Sequence, residues 1–541
     1  MKKNVQYLAL AATALLMFSC SSDITDNGDG NSNGSISVKA TQEQLTEDDS
    51  DGKTFAPSRT VLDPTTNKVT WKEGDAINIF DGERNAKFAA TSAGSTVTFT
   101  SQGGVRDNAS RFVALYPYNI AATYTDGTIS NVTLPYCQNA VANSYDPTCA
   151  LMTASTTDMG TTLAFKHVCS YVKFSTDFDC TRVVLKFDRP VAGKFDITVA
   201  DDGTPTVSNV KSTDGGTAPD SIVVVGDINK DTDYYVAVLP GTEGSSFSMT
   251  LDPKPTKEMV NTTTKTINVA SHSKHTDKAL ATTRAKIRSV GTLTWDGTDE
   301  NRAFTIPYED MGIGDDIATA TTGHTVLWAK INLGASSEEK VGNYYAWGET
   351  KPKSVYTKDT YLCNDYYPTS LDAAHDAATT NWGHGWRMPT HADFEALKKN
   401  CIFVYVAEKG FYVYRGNGDI KDYQKMDGGK VYRYATQQGV AGRDEVSDET
   451  VVSYINNLSP ETVDHLFIPF GGHKSGEGGG QNDAARYWMN DHGTGDLYSI
   501  TVPGELTSYY WGLASNAFNT WSCWRPRYEG LNIRPVFEIE W

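Results

Sequence analysis

Short apolar runs separated by turn residues dominate the first half of the chain. Between residues 36 and 269, segments such as STVTFT, RFVALYPYN, RVVLKF, GKFDITVADDG, SIVVVGD and DYYVAVLPG alternate with clusters of Gly, Asn and Asp. In many of these runs apolar and polar positions alternate, which is typical of strands with one buried face. The connections have hairpin length and no long helical pattern interrupts them. We therefore predict a mainly β structure with two successive β-sandwiches, residues 36–160 and 161–270.

A helical pattern appears later, in the stretch NWGHGWRMPTHADFEALKKNC at residues 381–401. Pro389 disfavours helix at the residue before it, and Thr390 suits the N-cap of a helix that follows. Asp393 stands three residues on, where a capping box places its second side chain. The apolar residues of this segment that fall largely on one helical face are Ala392, Phe394, Leu397 and Cys401. The pattern predicts a capped amphipathic helix.

The same stretch gathers reactive side chains and therefore also suggests an active site. These side chains are His384, Arg387, His391, Asp393 and Glu395. His391, Asp393 and Glu395 are explained as first-turn residues of the helix, and Arg387 suits a buried ion pair. We favour this structural interpretation over catalysis.

The length and the net charge of the chain limit the number of domains and the classes of partner. A chain of 541 residues exceeds what one hydrophobic core serves. The formal charge of −18 excludes a nucleic-acid partner, since no basic stripe offsets it. Residues 270–291 carry five Lys and Arg side chains and few large apolar ones, and we predict an exposed linker at residues 271–304, part helical through residues 277–287. Ten of the eleven tryptophans lie beyond Gly291, so residues 305–541 form a distinct last domain.

The first residues predict secretion. Lys2 and Lys3 precede an apolar stretch at residues 5–18 that is too short to span a bilayer, and Ser19 stands directly before Cys20. We predict a lipoprotein signal peptide at residues 1–19 and lipidation of Cys20, which would anchor the protein at the cell surface in the outer membrane. The alternative is an ordinary secretory signal with an incidental cysteine. Residues 20–35 predict a flexible acidic tether.

Cysteines and metal ligands give no strong signal. Cys137 with Cys149, and Cys169 with Cys180, could form disulfides in an oxidising compartment, or all four could be free thiols. The sequence has no CxxC, and the His272–His275 pair stands in a polar segment. We predict no metal site and no cofactor.

Several motifs, which follow one another in the expected order along the chain, resemble those of one protein family. The segments SRTVLDPTTNKVTWKEGDAINIF, ALYPYN, LAFKHVCSYVKF, AGKFDITV and YYVAVLPG resemble the fimbrillin-like family of surface lipoproteins. The resemblance implies two transthyretin-like β-sandwiches and a pilus subunit as partner. It also implies maturation by a protease that removes an N-terminal strand, whose place a neighbouring subunit's strand then takes. Lys39, Lys53 and Arg59 offer basic cleavage positions. A surface protein that does not polymerise is the alternative.

The last domain resembles a second family. The segments LWAKINLGAS, GNYYAWGET, NWGHGWRMPTHADFEAL, LFIPFGGH, YWMND and YEGLNIRPV resemble the FISUMP family, whose fold is α+β and C-type-lectin-like. The same fold includes formylglycine-generating enzymes, which use two closely spaced cysteines near the C-terminus. Here Cys523 stands alone, so we predict no enzyme activity and no catalytic residue.

The lectin-like resemblance implies a binding surface on long loops. YWMND places Asn490 and Asp491 one residue out of register with the calcium-lectin motif, so calcium-dependent sugar binding of that kind is not expected. We predict ligand contact between residues 471 and 524, through Trp488, Asn490 and Asp491, where polar groups stand beside aromatic rings. The predicted function is an adhesin or a pilus tip or minor subunit that binds glycan or protein. The alternatives are glycan capture for nutrient uptake and an enzyme of the same fold.

Overall fold

The computed structural model describes residues 36–47, 70–106, 109–213, 216–294, 301–363, 369–433, 445–479, 484–491, 507–514 and 521–541. Within these ranges strands far outnumber helices, which confirms the predicted mainly β fold. None of the helices in the described residues is long and apolar enough to cross a membrane. Single turns of 3₁₀ helix lie at Pro147–Cys149, Lys257–Met259, Lys358–Thr360 and Asp427–Gly429.

The first part of the chain forms a closed ring of strands. Its strands are β1 (Ser37–Gln42), β2 (Thr46–Glu47), β3 (Ala76–Phe80), β4 (Asn85–Ala90), β5 (Thr96–Ser101), β6 (Phe112–Tyr116), β7 (Thr123–Thr125), β8 (Thr128–Leu134), β9 (Cys137–Asn139), β10 (Met152–Thr156) and β11 (Leu163–His167). Hydrogen bonds join seven of these strands into the ring, in the order β1–β11–β10–β6–β3–β4–β5, and β5 returns to β1; β2, β7, β8 and β9 belong to other sheets. Trp71 fills the interior and meets the rings of Phe99 and Phe165 edge-on, at 5.0 and 5.3 Å between centroids. The first sandwich is thus closed into a barrel.

The second part forms a sandwich that shares strands with its neighbours. Its strands are β12 (Ser170–Thr176), β13 (Cys180–Phe187), β14 (Gly193–Val199), β15 (Pro205–Lys211), β16 (Ser221–Ile228), β17 (Tyr234–Val238), β18 (Gly241–Pro253), β19 (Val260–Asn261), β20 (Thr266–Thr282), β21 (Lys286–Leu293) and β22 (Asn301–Glu309). One sheet has the order β17–β12–β21–β2, and a small sheet, β15–β14–β8–β7, joins hairpins from both parts. The two β-rich units are therefore directly connected.

The last part is α+β. Its strands are β23 (His324–Ala329), β24 (Trp386–Arg387), β25 (Cys401–Val406), β26 (Gly410–Arg415), β27 (Tyr423–Lys425), β28 (Val431–Arg433), β29 (His465–Pro469), β30 (Lys474–Ser475), β31 (Gly478–Gly479), β32 (Ala484–Trp488), β33 (Thr507–Ala514), β34 (Trp521–Pro526) and β35 (Val536–Glu540). Its helices are α1 (Ala377–Trp382), α2 (His391–Asn400) and α3 (Glu449–Asn456). Two sheets, β28–β27–β25–β26–β29 and β32–β33–β34, contribute side chains to one core.

One sheet runs from the second part into the last part, in the order β24–β35–β23–β22–β20–β18–β13–β16–β9. Strands β20, β21 and β22 together occupy most of residues 271–304, so the predicted helix through residues 277–287 is wrong. The Ala and Lys residues of that segment favour helix only weakly, and pairing of β20 with β18 and β22 outweighs that preference. Ile287 and Leu293 of β21 are buried in the cores. The positions of the domain boundaries stay a prediction.

Candidate functional site

The stretch at residues 381–401 forms the end of α1, a turn, β24 and helix α2. At the start of α2, Oγ1 of Thr390 accepts from the N–H of Asp393 at 3.2 Å, and Oδ2 of Asp393 accepts from the N–H of Thr390 at 2.8 Å. This reciprocal pair is a capping box. Phe394 and Leu397 are buried on the inner face. The predicted capped helix is confirmed, with His391 in its first turn.

Arg387 joins this helix to the last strand. Its Nη1 donates to Oδ2 of Asp393 at 2.6 Å, and its Nε donates to Oε2 of Glu538 at 2.5 Å. Burial lowers the pKa of Arg387, but the two carboxylates more than compensate, so that its pKa lies above its ordinary value. The predicted ion pair of Arg387 is confirmed. These bonds are typical of a structural role, because the guanidinium engages both carboxylates.

His384 lies at the junction between the second sandwich and the last domain. It has a φ of 50° and is fully buried. Its Nε2 is 3.3 Å from Oγ of Ser271 and 3.4 Å from Oδ1 of Asp252. Oδ2 of Asp252 accepts from Nη1 of Arg182 at 2.9 Å. A histidine from the suspected active site therefore completes a buried polar cluster between two domains.

Other contacts cover the rest of this junction. Thr380 places its hydroxyl 3.4 Å from the sulfur of Cys137, and the N–H of Ala374 donates to Oδ1 of Asn139 at 3.1 Å. A small apolar cluster joins the same surfaces; its buried members are Cys137, Val223, Val225 and Ala374. On another side, Nζ of Lys265 lies 2.5 Å from carboxylate oxygens of both Glu309 and Asp464. The last domain is thus attached through packed and hydrogen-bonded surfaces.

Trp488 does not offer a ring to a ligand. Its side chain is 0% exposed, and its Nε1 donates to the carbonyl of Tyr345 at 2.8 Å. Trp347 makes a similar bond, in which its Nε1 donates to the carbonyl of Met489 at 2.9 Å. Stacking on a sugar needs an accessible face, which a core ring lacks. The prediction that Trp488 contacts ligand is therefore wrong; the ring packs within the domain core.

Asn490 and Asp491 are half-buried, and both bond to the helices. Nδ2 of Asn490 donates to Oδ2 of Asp376 at 2.9 Å, and Oδ1 of Asp491 accepts from the N–H of His391 at 2.7 Å. Asp376 is also the N-cap of α1 and accepts from the N–H of Met388. Burial raises the pKa of Asp376, although these donors oppose the rise. A ligand-binding role of Asn490 and Asp491 stays a prediction.

Several predicted positions lie outside the described residues. Among them are Cys20, Lys53 and Arg59, together with much of the loop region at 471–524. His272 and His275 belong to β20, in which the backbone is described. Among the described residues no group of three or more His, Cys, Asp or Glu is placed to hold a metal ion.

The four cysteines considered for disulfides are separate buried thiols. Cys137, Cys149, Cys169 and Cys180 are all unbridged and buried. Burial raises the pKa of the Cys137 thiol to about 12. A thiol with so high a pKa is protonated at neutral pH and is a poor nucleophile. Of the two alternatives for these cysteines, disulfides or free thiols, the structure therefore has free thiols.

The N-terminal strand occupies a place between two others. β1 pairs antiparallel with β5, with Val38 opposite Phe99, and parallel with β11, with Ala40 opposite Leu163. Val38 and Ala40 point into the barrel, whereas Lys39 between them is exposed. We call this place the β1 slot. The segment that follows β2 passes through residues 48–69, which include Lys53 and Arg59 and lie outside the described residues.

Sequence reasoning missed the residues that hold these elements together. Asp252 and Asp376 are both buried carboxylates, but each stands in a polar or turn-like segment where an aspartate is ordinary. Asp376 had one local signal, because it directly precedes a helix and aspartate is a favoured N-cap. Asp252 had none, since its partners Arg182 and His384 are distant in the sequence.

Comparison with known proteins gave structural neighbours only. No family profile and no curated protein sequence matches the chain. A protein of Bacteroides uniformis named as a putative cell adhesion protein is 18% identical with a TM-score of 0.31, and covers 51% of this chain and 98% of its own. A fimbrial protein of Bacteroides ovatus is 11% identical with a TM-score of 0.23, and covers 68% of this chain and 77% of its own. At these TM-scores the likeness assigns no function.

We expect Trp386→Ala to destabilise the protein by about 3–5 kcal/mol, because the ring is fully buried against Phe537 and Trp382. His391→Ala is the control within the same stretch: the side chain is half-buried at the first turn of α2, and we expect a change within about 0.5 kcal/mol. Chemical denaturation of both variants measures the difference. A normal unfolding free energy for Trp386→Ala would contradict the structural role.

Gly383→Ala should weaken the domain junction. Gly383 has a φ of 63°, and a Cβ at this position would collide with Oδ2 of Asp252. Gly418 has a similar φ of 58° and a Cβ there meets nothing within 4 Å, so it controls for positive φ alone; Gly383 also has a ψ of −155°, a conformation that only glycine adopts readily. We expect Gly418→Ala to cost about 1–2 kcal/mol of backbone strain and Gly383→Ala to cost more. Calorimetry of Gly383→Ala should also separate the unfolding of the last domain from that of the sandwiches; equal effects of the two substitutions would refute the contact.

Proposed function

We propose that this protein is a non-enzymatic cell-surface adhesin that serves as the tip or a minor subunit of a pilus. The observation that carries the proposal is the position of β1, which completes the barrel between β5 and β11. Because Lys53 and Arg59 follow β1 and β2, cleavage there would leave this segment held only by noncovalent contacts. The fimbrillin-like resemblance of residues 36–269 supports a strand from another subunit as its replacement.

The physical basis is the pairing capacity of the two neighbouring strands. Without β1, both β5 and β11 present a row of backbone donors and acceptors to one narrow place. An incoming strand regains these hydrogen bonds, and its alternate side chains enter the barrel as Val38 and Ala40 do. The slot is therefore a site that accepts a strand.

The last domain suits the tip position. A shaft subunit must also donate a strand to its neighbour, but β35 pairs with β23 on one side and β24 on the other. Withdrawing β35 would break the sheet and the ion pair of Glu538 with Arg387. In this proposal β35 stays in its own sheet while the β1 slot accepts a strand, as expected of a tip or terminal subunit.

The binding surface belongs to the last domain in this proposal. The hairpin of β30 and β31 carries exposed residues, and the half-buried Asn490 and Asp491 follow the end of β32. We expect glycan or a surface protein as ligand, which a glycan and matrix-protein array probed with the whole chain would test. Binding that maps to the sandwiches instead would make the last domain a spacer.

Lipidation of Cys20 is expected to hold the protein in the outer membrane before any cleavage at Lys53 or Arg59. Cys20→Ala removes the thiol that accepts the diacylglycerol, so we expect uncleaved precursor or release of the protein into the medium. Membrane fractionation and immunoblotting of the variant measure this. Unchanged maturation and unchanged membrane association would exclude the anchor.

Strand replacement can be measured directly. A site-specific protease sequence in place of residues 53–59 allows complete cleavage of the otherwise full chain, and a fluorescent peptide ISVKATQEQLTE, residues 36–47, serves as the entering strand. We expect fluorescence polarisation to rise with cleaved protein and to stay low with uncleaved protein. A peptide of the same residues in shuffled order is the control. Failure of the peptide to enter fully cleaved, folded protein would overturn the proposed function.

A further inference from the structure

Glu43 connects the N-terminal segment to the rest of the molecule at one charged contact. It stands between β1 and β2, where the chain leaves the barrel and reaches the second sandwich. Its Oε2 accepts from Nη1 of Arg284 at 2.5 Å and from the backbone N–H of His167 at 3.0 Å. Its Oε1 accepts from Nη2 of Arg284 at 3.1 Å. The carboxylate is thus bound in a bidentate manner by one guanidinium and by one amide.

The groups that bind this carboxylate come from two different units. His167 ends β11 of the barrel, and Arg284 lies between β20 and β21 of the second sandwich. Nη1 of Arg284 also donates to the carbonyl of His167 at 3.0 Å, which holds the guanidinium in place independently of Glu43. We call Arg284 and the N–H of His167 the carboxylate socket. The socket is formed without any residue of the segment 36–47.

The positive charge of Arg284 makes the socket favour an anionic side chain. Burial raises the pKa of Glu43, but Arg284 and the His167 amide reverse this and leave its pKa below the ordinary value. The imidazole of His167 is fully buried, and burial lowers its pKa to about 4, so it carries no charge at neutral pH. Without Glu43 the half-buried guanidinium would keep its positive charge and lose two acceptor oxygens. A neutral residue at this position cannot replace that interaction.

We propose that the carboxylate socket selects which strand enters the β1 slot. The entering strand needs two small apolar side chains at alternate positions and an acidic side chain three residues after the second of them. This inference rests on the proposed strand replacement. The occupant is an extended segment of another pilus subunit with apolar side chains at the places of Val38 and Ala40 and a carboxylate at that of Glu43. Leu45, which is also buried, marks a further apolar place two residues on.

The position of the socket relative to β1 explains how it can distinguish one entering strand from another. Backbone pairing in the slot is open to almost any sequence, and two small apolar positions discriminate weakly. The socket lies beyond the end of β1, so only a strand in the correct register brings a carboxylate to Arg284. A slip of one residue would turn the apolar side chains outward and move the acid away. The socket therefore specifies both partner and register.

The test compares entering peptides on the cleaved full chain. Residues 36–47 serve as the reference, a Glu43→Gln peptide removes the charge, and a Ser37→Lys peptide changes the net charge by the same amount at an exposed position. We expect the Glu43→Gln peptide to bind about 10–100-fold more weakly and the Ser37→Lys peptide to bind within about twofold of the reference. In protein carrying Arg284→Gln the preference for Glu over Gln should disappear. Arg284→Lys keeps the charge but not the paired donors, and should retain a reduced preference.

The outcomes separate this inference from the proposed function. If no peptide enters the cleaved protein, strand replacement itself fails. If the reference and the Glu43→Gln peptides enter equally well, the socket is refuted and strand replacement stands. The peptide comparison uses protein with Arg284 intact, so it decides the matter even if an Arg284 variant does not fold. Equal loss with the Ser37→Lys peptide would show that net charge, not the socket, controls entry.

Discussion

Backbone pairing along β20 is the constraint on which the arrangement of the chain depends. Its residues 272–282 pair with β18 of the second sandwich, and its residues 266–272 pair with β22, which leads into the last domain. Because one strand serves both units, the twist of a single sheet sets their relative orientation. A flexible connection would leave the last domain free to turn, whereas a shared sheet presents it in one direction. In the proposed adhesin, this shared sheet would set the direction in which the last domain points.

Buried polar groups make this junction specific. Asp252 would be costly to bury alone, and Arg182 and His384 approach its two oxygens from opposite units. The backbone at His384 and Gly383 adopts positive φ so that the turn can approach Asp252 closely. An apolar contact tolerates sliding, but a buried carboxylate that is bonded to Arg182 and in contact with His384 does not. The stretch at residues 381–401 thus holds the last domain against the second sandwich.

The N-terminal segment is bound in a different way from the rest. β1 contributes side chains to the barrel core, yet most of its attachment is backbone pairing with β5 and β11. Such pairing is largely independent of sequence, so a segment from another chain can satisfy it equally well. The contact of Glu43 with Arg284 adds what pairing lacks, a requirement for one charged side chain at one position. In the proposed strand replacement, affinity and selectivity would reside in separate parts of the same site.

The sequence by itself determined the features that depend on near neighbours. Alternating apolar residues specify which face of a strand is buried, and Thr390 and Asp393 specify where α2 starts, because each effect acts within a few residues. Tertiary structure decided the rest. β20 became a strand because β18 and β22 pair with it, against a composition that suggested a linker. Trp488 faces the core because a carbonyl 143 residues away accepts its N–H, and Glu43 meets Arg284 across 241 residues. Contacts of such separation follow from how sheets assemble, which local pattern does not encode.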